Sequence, residues 1–259
     1  MDIISSVQNP KIKELLSLQE KSRLRRKEGL FVVEGRRELE HCIGAGMEVR
    51  TVYACPQLAG EEFCSKLNFI EVSKDVYSKI AYREGTEGVI AIVKAPQLEL
   101  EKLSLPGNPL VIVLESVEKP GNLGAVLRSA DAAGADAVIV CNPLTDIFNP
   151  NVIRASVGAV FTVPVAVCSS EDAISFLKAK GIRILTAQLQ DSTPYYHTPM
   201  TEGTAIVMGT EDVGLSPLWR EAADAHIRIP MLGRLDSLNV SVSAAILLFE
   251  AVRQRQNRL

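Results

Sequence analysis

Residues 110–128 read LVIVLESVEKPGNLGAVLR: an apolar run, a loop rich in Gly and Asn, and the start of a helix. Two later apolar runs are followed by loops of similar composition, GTEDVG at 209–214 and IPMLGRLDSLNVS at 229–241. In parallel α/β proteins, ligands bind at the carboxyl ends of the strands, where such loops gather. The three loops together therefore predict a ligand site in the second half of the chain.

The loop residues also have an ordinary structural interpretation. Asn122 is consistent with a cap of the helix that follows it, and Ser237 or Asn239 with a cap of the last helix. The loop glycines are consistent with turns that need a positive φ, and Arg128 with a solvated helix charge. This interpretation leaves unexplained why all three loops follow strands, so both interpretations stay open on these residues alone.

The three loops resemble the three motifs of the SpoU-type (TrmH-like) family of SPOUT RNA methyltransferases. The matching stretches are PGNLGA at 120–125 with Arg128, GxExxG at 209–214, and IPM at 229–231 with SLNVS at 237–241. Their order and spacing fit the family, and the third motif is the most specific. The resemblance covers about residues 109–256 strongly and residues 1–95 more loosely.

The fold class that the resemblance implies is α/β, with two domains. Residues 110–259 are expected to form an α/β-knot methyltransferase domain, a deep trefoil knot, which pairs as a homodimer. Residues 1–95 are expected to form an L30e-like α/β RNA-binding domain. Residues 96–109 contain three prolines and are predicted to be a linker.

Hydrophobic periodicity supports this division into two α/β units. It predicts a helix at 9–21 with a stripe of leucines, a strand at 30–33 and a helix near 58–67. Further along, it predicts a strand at Phe161–Val165 and a last helix at 239–256.

The resemblance implies transfer of a methyl group from S-adenosylmethionine to a ribose 2′-hydroxyl of structured RNA. The extra N-terminal unit favours rRNA over tRNA. The residues implied in catalysis are Arg128, Asn122, Glu211, Ser237 and Asn239. Those implied in cofactor binding are Ala187, Gly209, Glu211, Gly214, Ile229, Met231 and Leu238, where glycine at 209 would let the backbone approach the ligand closely.

Arg128 is the strongest candidate for a catalytic role. Members of the family are thought to use this Arg near the target ribose, sometimes as a base. Because a guanidinium gives up its proton only above pH ~12, a bidentate grip on the adjacent phosphate is the easier role. Both roles remain open from the sequence.

Charge is distributed unevenly along the chain. The formal net charge is −3, but residues 11–27 hold seven basic and two acidic residues, a local net charge of +5. Such a run is either a solvated helix face or a patch that tracks phosphates. The candidate RNA-binding residues are Lys11, Lys13, Arg23, Arg25 and Arg26.

Composition fits a cytoplasmic enzyme without a membrane segment. No secretory signal is apparent, and no apolar run approaches the ~18 residues that span a bilayer. Five dispersed cysteines and three histidines predict reduced thiols and no metal site. Two other classes stay open: a catalytically inactive RNA-binding protein that retains the fold, and a dinucleotide-binding oxidoreductase, although GxGxxG is absent.

Overall fold

The structure is a computed structural model that describes residues 3–82, 87–210, 212–234 and 237–256. The chain forms two compact units, Met1–Pro96 with Asp146–Thr162, and Gln97–Thr145 with Val163–Leu259. The chain thus leaves the second unit after residue 145, contributes 17 residues to the first, and then returns.

The first stretch alternates helices and strands. Its elements are α1 (Pro10–Glu20), α2 (Ser22–Glu28), β1 (Leu30–Glu34), α3 (Arg36–Gly44), β2 (Val49–Ala54), α4 (Pro56–Ala59), α5 (Glu61–Cys64), β3 (Ile70–Glu71), α6 (Lys74–Ile80) and β4 (Val89–Lys94).

The rest of the chain follows the same alternation, with short 3₁₀ turns at Leu100–Lys102 and Tyr195–His197. Its elements are β5 (Leu110–Glu115), α7 (Pro120–Ala132), β6 (Ala137–Cys141), α8 (Pro150–Ser156), α9 (Ala159–Thr162), β7 (Val165–Cys168), α10 (Ser170–Ala179), β8 (Arg183–Ala187), β9 (Thr193–Pro194), β10 (Thr204–Met208), α11 (Pro217–Ala222), β11 (Ala225–Arg228) and α12 (Val240–Gln256).

The first unit is built on a four-stranded sheet in the order β1-β4-β2-β3. The β1–β4 and β4–β2 pairs are antiparallel, and β2–β3 is parallel. Helix α1 begins where the Asn9 side chain accepts a hydrogen bond from the Lys11 N–H and Pro10 starts the first turn. Its stripe of Ile12, Leu15 and Leu18 is buried in the core of this unit.

The segment 146–162 is attached to the first unit by a buried ion pair and an aromatic stack. The Arg25 side chain is 4% exposed, and its Nε donates to Asp146 Oδ2 at 2.6 Å. Arg25 Nη1 also donates to the carbonyl oxygens of Leu18 and Gln19. The ring of Phe31 stacks on Phe148 and Phe161, with centroid distances of 4.3 and 5.9 Å. Arg25 is therefore an internal structural residue, and the expectation that it contacts RNA is wrong.

The second unit is built on a seven-stranded sheet in which every pair is parallel, in the order β7-β6-β5-β10-β8-β11-β9. Strands β5, β6 and β10 are buried along their whole length. A fully buried parallel strand needs a continuous apolar run, and the sequence has one at each of the three. Because the strands are parallel, the loops after β5, β8, β10 and β11 all emerge at one edge of the sheet.

Two segments close the second unit. The stretch expected as a linker packs against it, since the Val167 N–H donates to the Leu98 carbonyl at 2.7 Å and Leu100 is buried. Helix α12 packs on α7, β5 and β10. Near its end, the Arg255 guanidinium donates four hydrogen bonds, to the carbonyl oxygens of Asn108, Pro109, Met200 and Glu202.

Several local expectations fail for identifiable reasons. The helix expected near 58–67 is two short helices, because Gly60 at φ +81° breaks the chain between them. Phe161 lies in helix α9, not in a strand, and β7 begins only at Val165. The short helix α2, which ends at Gly29 in the left-handed region, was not predicted.

Membrane-spanning helices and metal-binding clusters are both absent from the described residues. None of their helices combines the length and the apolar character that a bilayer crossing needs. Nor do their His, Cys, Asp and Glu side chains cluster in a group able to hold a metal ion. All five cysteines are free thiols, as expected, and four of them are buried.

Candidate active site

A cavity of about 410 Å³ lies at the carboxyl edge of the large sheet. Its walls come from the loops after β8, β10 and β11 and from the start of α12. The volume falls in the range of small-molecule sites, roughly 300–1,000 Å³. Buried Leu215, Ile227 and Leu247 form apolar parts of the wall. The cavity is therefore large enough and apolar enough to enclose a cofactor.

Seven residues singled out from the sequence line this one cavity. They are Ala187, Gly209, Gly214, Ile229, Met231, Ser237 and Leu238. They come from three segments that are distant in sequence, so the fold brings the second and third motifs together. Glu211, which was expected to act in both catalysis and cofactor binding, lies outside the described residues.

The loop after β10 is a tight turn closed by its own backbone. The N–H groups of Thr210 and Gly214 each donate to the other's carbonyl oxygen, at 3.2 and 3.1 Å. Gly214 has φ +74°. A Cβ on Gly209 would lie 2.6 Å from the Leu215 nitrogen and closer still to the Gly214 backbone. Glycine at 209 is therefore required by the loop itself, and its expected close approach to a ligand stays a prediction.

Glu115 ties this loop to the end of β5. Its side chain is 6% exposed and accepts hydrogen bonds from the Ser216 N–H at 2.8 Å and the Ser216 hydroxyl at 2.7 Å. The Ser170 hydroxyl also donates to Glu115, at 3.2 Å, and accepts from Trp219 Nε1 and Asn142 Nδ2, both at 3.0 Å. Sequence reasoning missed Glu115, although a carboxylate that ends a wholly apolar strand is a signal of buried pairing.

The first and third motifs meet in a second cluster, next to the start of α12. Asn239 Nδ2 donates to Asn122 Oδ1 at 3.1 Å. Asn239 Oδ1 also accepts from the N–H and hydroxyl of Ser241, so Asn239 caps α12. Asn122 lies in the first turn of α7, where the capping position belongs to Lys119. Asn239 is therefore a helix cap and Asn122 is not, and the catalytic roles expected of both stay predictions.

Arg128 stands apart from both groups. It lies eight residues into α7, about 12 Å along the axis from the first turn. Its side chain is exposed, does not line the cavity, and makes no hydrogen bond with a described residue. The guanidinium is therefore available to a partner in solvent, not to a ligand held in the cavity.

Several polar residues that line the cavity were not expected from the sequence, among them Arg220, Arg228 and Gln188. Arg220 of α11 and Arg228 of β11 line it, and neither forms an ion pair with any described residue. Gln188, directly after β8, donates from Nε2 to the Gln190 carbonyl at 2.9 Å. Its Oε1 is buried and has no hydrogen-bond partner among the described residues.

The basic stretch of the first unit keeps most of its charge at the surface. Lys11 and Lys13 on α1 and Arg23 and Arg26 on α2 are exposed. With Arg25 buried, six of the seven cations in residues 11–27 remain accessible to a partner.

Comparison with known proteins gives two family matches and close structural relatives. The SpoU rRNA Methylase family matches residues 109–249, and the MRM3-like substrate binding domain matches residues 9–91. The chain is 30% identical over 250 residues to the 23S rRNA (guanosine(2553)-2′-O)-methyltransferase RlmP of Bacillus subtilis. The alignment covers 96% of this chain and 98% of that protein.

Two solved structures extend the similarity over almost the whole chain. A crystal structure of an RNA 2′-O ribose methyltransferase is 39% identical with a TM-score of 0.86, covering 98% of this chain and 100% of that one. An AdoMet-bound rRNA methyltransferase from Sinorhizobium meliloti is 31% identical with a TM-score of 0.89, covering 97% of each chain.

Proposed function

This chain belongs to the SpoU rRNA methylase family, and we propose that it transfers a methyl group from S-adenosylmethionine to a ribose 2′-hydroxyl of ribosomal RNA. The observation that carries the proposal is the cavity at the carboxyl edge of the large sheet, which unites the residues of the second and third motifs. A ribosomal RNA substrate also agrees with the presence of a substrate-binding domain match at 9–91.

The cavity suits S-adenosylmethionine on its own chemistry. Apolar side chains and loop backbone supply a wall for a flat adenine ring, and the exposed rim at Ser237 and Leu238 leaves a way out to solvent. When bound, the cofactor supplies a methyl group on a positively charged sulfur. The residues that would hold it are Ala187, Gly214, Ile229, Met231 and Leu238, together with Gly209 at the start of its loop.

The protein's part in the transfer is to align the ribose and to handle its hydroxyl proton. Alignment alone is worth up to ~7–11 kcal/mol in ideal cases. Exposed Arg128 is suited to a bidentate grip on an RNA phosphate beside the target ribose. The hydrogen bond between Asn122 and Asn239 supports a role of this pair in orienting the ribose, and the position of Ser237 at the cavity rim supports a role in proton movement. Glu211 keeps the proposed role of orienting Arg128 or the ribose.

RNA capture is assigned to the first unit. Lys11, Lys13, Arg23 and Arg26 present positive charge on two consecutive helices. Cations arranged in this way bind phosphates without reading sequence, so they set affinity while the second unit selects the 2′-hydroxyl. The domain boundaries 1–95 and 110–259, joined at 96–109, remain part of this proposal.

The exposed face of α12 supports a homodimer through the C-terminal domain. Its outer face carries Val242, Ile246 and Phe249 at helical spacing, and Val242 and Phe249 are 46% and 48% exposed. An exposed apolar stripe on an otherwise buried helix is typical of an interface. Phe249→Asp should therefore convert a dimer to a monomer in sedimentation velocity, whereas Leu144→Asp, at a residue 66% exposed, should not.

The trefoil knot is part of the same proposal. Strand β10 lies between β5 and β8, and α12 returns to pack on β5, β10 and α7 after the chain has formed β11. A C-terminal segment that returns past an inserted central strand is the arrangement that a deep knot of this family requires.

The function is tested by incubating the protein with methyl-labelled S-adenosylmethionine and protein-free rRNA transcripts. A 2′-O-methyl group blocks alkaline cleavage of the adjacent phosphodiester, so the label should appear in alkali-resistant dinucleotides. DNA of the same sequence should accept no label, because it lacks the 2′-hydroxyl. Label recovered only in mononucleotides would indicate base methylation and contradict the proposal.

A further inference from the structure

One hydrogen bond sets the orientation of the Gln188 side-chain amide. Its Nε2 donates to the Gln190 carbonyl at 2.9 Å. Turning the amide round would place Oε1 against that carbonyl oxygen, so the hydrogen bond assigns which end is nitrogen and which is oxygen. Oε1 is consequently left facing away from Gln190 as an acceptor.

That acceptor has no donor in the protein. Oε1 is buried and lacks a hydrogen-bond partner among the described residues. A buried polar atom without a partner destabilises a protein by roughly 1–3 kcal/mol, and native proteins rarely leave one unless a ligand or water completes it. The Gln188 backbone N–H is meanwhile satisfied by the Ile227 carbonyl, at 2.9 Å, so the strand end is well formed around the incomplete side chain.

Gln188 also lines the cavity that holds the cofactor. A glutamine amide rotates about a broad terminal torsion, so Oε1 can turn to a ligand in the cavity if Nε2 gives up its bond to the Gln190 carbonyl. S-adenosylmethionine carries N–H and O–H donors on its adenine, its ribose and its amino-acid end. The neighbouring Arg220 and Arg228 are also donors, but neither bonds to Gln188.

We infer that Gln188 Oε1 accepts a hydrogen bond from a donor group of S-adenosylmethionine and so helps to select this cofactor. The inference rests on the proposed function for the identity of the ligand. It adds a polar side-chain contact to a set of expected cofactor contacts that, apart from Glu211, come from backbone and apolar groups.

The test is calorimetric binding of S-adenosylhomocysteine, which needs no turnover. Gln188→Met keeps the length of the side chain and removes the acceptor, and should weaken binding about tenfold, as expected for one lost hydrogen bond. Gln97→Met makes the same change at an exposed side chain of the same unit that does not line the cavity, and should leave affinity unchanged. The thermal midpoint of the unliganded Gln188→Met protein should stay close to that of the wild type, because an orphaned acceptor has been removed.

Two analogues of the cofactor locate the donor when each is bound to the wild type and to Gln188→Met. One has inosine in place of adenosine and so lacks the adenine amino group; the other, 5′-methylthioadenosine, lacks the amino-acid end. The effect of Gln188→Met should vanish with the analogue that lacks the donor, and an effect that persists with both assigns the donor to the ribose.

Equal affinity of wild type and Gln188→Met for S-adenosylhomocysteine would overturn the inference and leave the proposed function standing. A lower thermal midpoint with unchanged affinity would likewise assign Gln188 a purely structural role. Failure of the wild type itself to bind would overturn both.

Discussion

At the scale of single residues, the site divides into groups that face the cavity and one group that faces solvent. Gly214, Met231 and Gln188 line the cavity, whereas Arg128 is exposed on α7. In the proposed function, cofactor binding and RNA contact belong to different residues, so a change at one should leave the other intact.

Arg128→Ala should lower the rate of methyl transfer by at least ~10², on the order of a lost donor at a developing oxyanion. Arg128→Lys should restore little, because an ammonium cannot form the bidentate fork. Affinity for S-adenosylmethionine should not change, since Arg128 lies outside the cavity. Single-turnover kinetics with bound RNA measures the rate, and Lys178→Ala, at an exposed cation of α10, is the matched control. A wild-type rate in Arg128→Ala would make Arg128 an ordinary helix charge.

Glu115→Ala should both destabilise the protein and weaken cofactor binding. The change leaves the Ser216 N–H and two hydroxyls without their acceptor, a loss of roughly 2–4 kcal/mol in the free energy of unfolding. Because Ser216 follows the loop 209–214, the cavity wall should loosen as well. Denaturant unfolding and calorimetry measure the two effects. Glu118→Ala, at an exposed carboxylate three residues further along the chain, should show neither effect. If Glu115→Ala destabilises the protein but still binds the cofactor tightly, the hydrogen bonds of Glu115 do not support the cavity wall.

At the scale of elements, α12 is held at both ends and joins the motifs to the rest of its unit. Asn239 caps its start, and Arg255 binds four carbonyl oxygens near its end. Between them, Glu250 accepts from Arg253 Nε and Nη2 and from Gln254 Nε2, each at 2.8 Å. Gln254 in turn accepts from the Met200 N–H, so the helix is fastened to the 198–202 segment.

The Glu250 carboxylate should give the stability of the protein a pH dependence at the acid end. The hydrogen bonds from Arg253, and then from Gln254, lower the pKa of Glu250 in the folded protein. A lowered folded pKa means that the stabilisation is fully present above the unfolded value of ~4.3 and is lost as pH falls through the folded pKa. Glu250→Gln should therefore lower the melting temperature at pH 7, and the difference should shrink below pH ~4.

The control for this pH dependence is Glu221→Gln, at an exposed carboxylate of α11, which should give no such convergence. A Glu250→Gln deficit that stays constant from pH 7 to pH 3 would contradict the ionic origin of the stabilisation.

Comparison of the predicted and observed elements shows which parts of the fold can be predicted from the sequence. Buried parallel strands such as β5 and β10 are predictable because both faces must be apolar. Phe161 was misplaced because a short apolar run fits a buried helix as well as a strand. The break at Gly60 depends on a backbone conformation that composition does not reveal. Arg25 was misjudged because its partner, Asp146, is 121 residues away in sequence.

At the scale of the whole molecule, the exposed cations of α1 and α2 belong to one unit and the cavity belongs to the other. The overall charge of −3 disfavours RNA, and the exposed cations on α1 and α2 offset it locally. The motifs of the second unit could be located from sequence because they are contiguous. The network around Glu115 and the open acceptor of Gln188 could not, since both depend on atoms brought together by folding.

Replacing Lys11, Arg23 and Arg26 with Ala should weaken RNA binding and reduce its salt dependence. Each lost phosphate contact should lower the slope of log K against log salt by about 0.7–0.9, or roughly 2–3 in total. Replacing exposed Lys66, Lys74 and Lys79 removes the same charge elsewhere in the first unit and should change the slope much less. Filter binding over a salt series measures the RNA affinity and its salt dependence. Equal slopes for the two triple variants would show that the basic stretch is an ordinary solvated surface.

The most direct measurement is a map of ribose methylation in rRNA from cells with and without this gene. We expect one 2′-O-methyl group to disappear on deletion, to return with the wild-type gene, and to stay absent with Arg128→Ala expressed at the same level. An unchanged set of ribose methylations in the deleted strain, or the loss of a base methylation instead, would contradict the assignment of this protein as an rRNA 2′-O-methyltransferase.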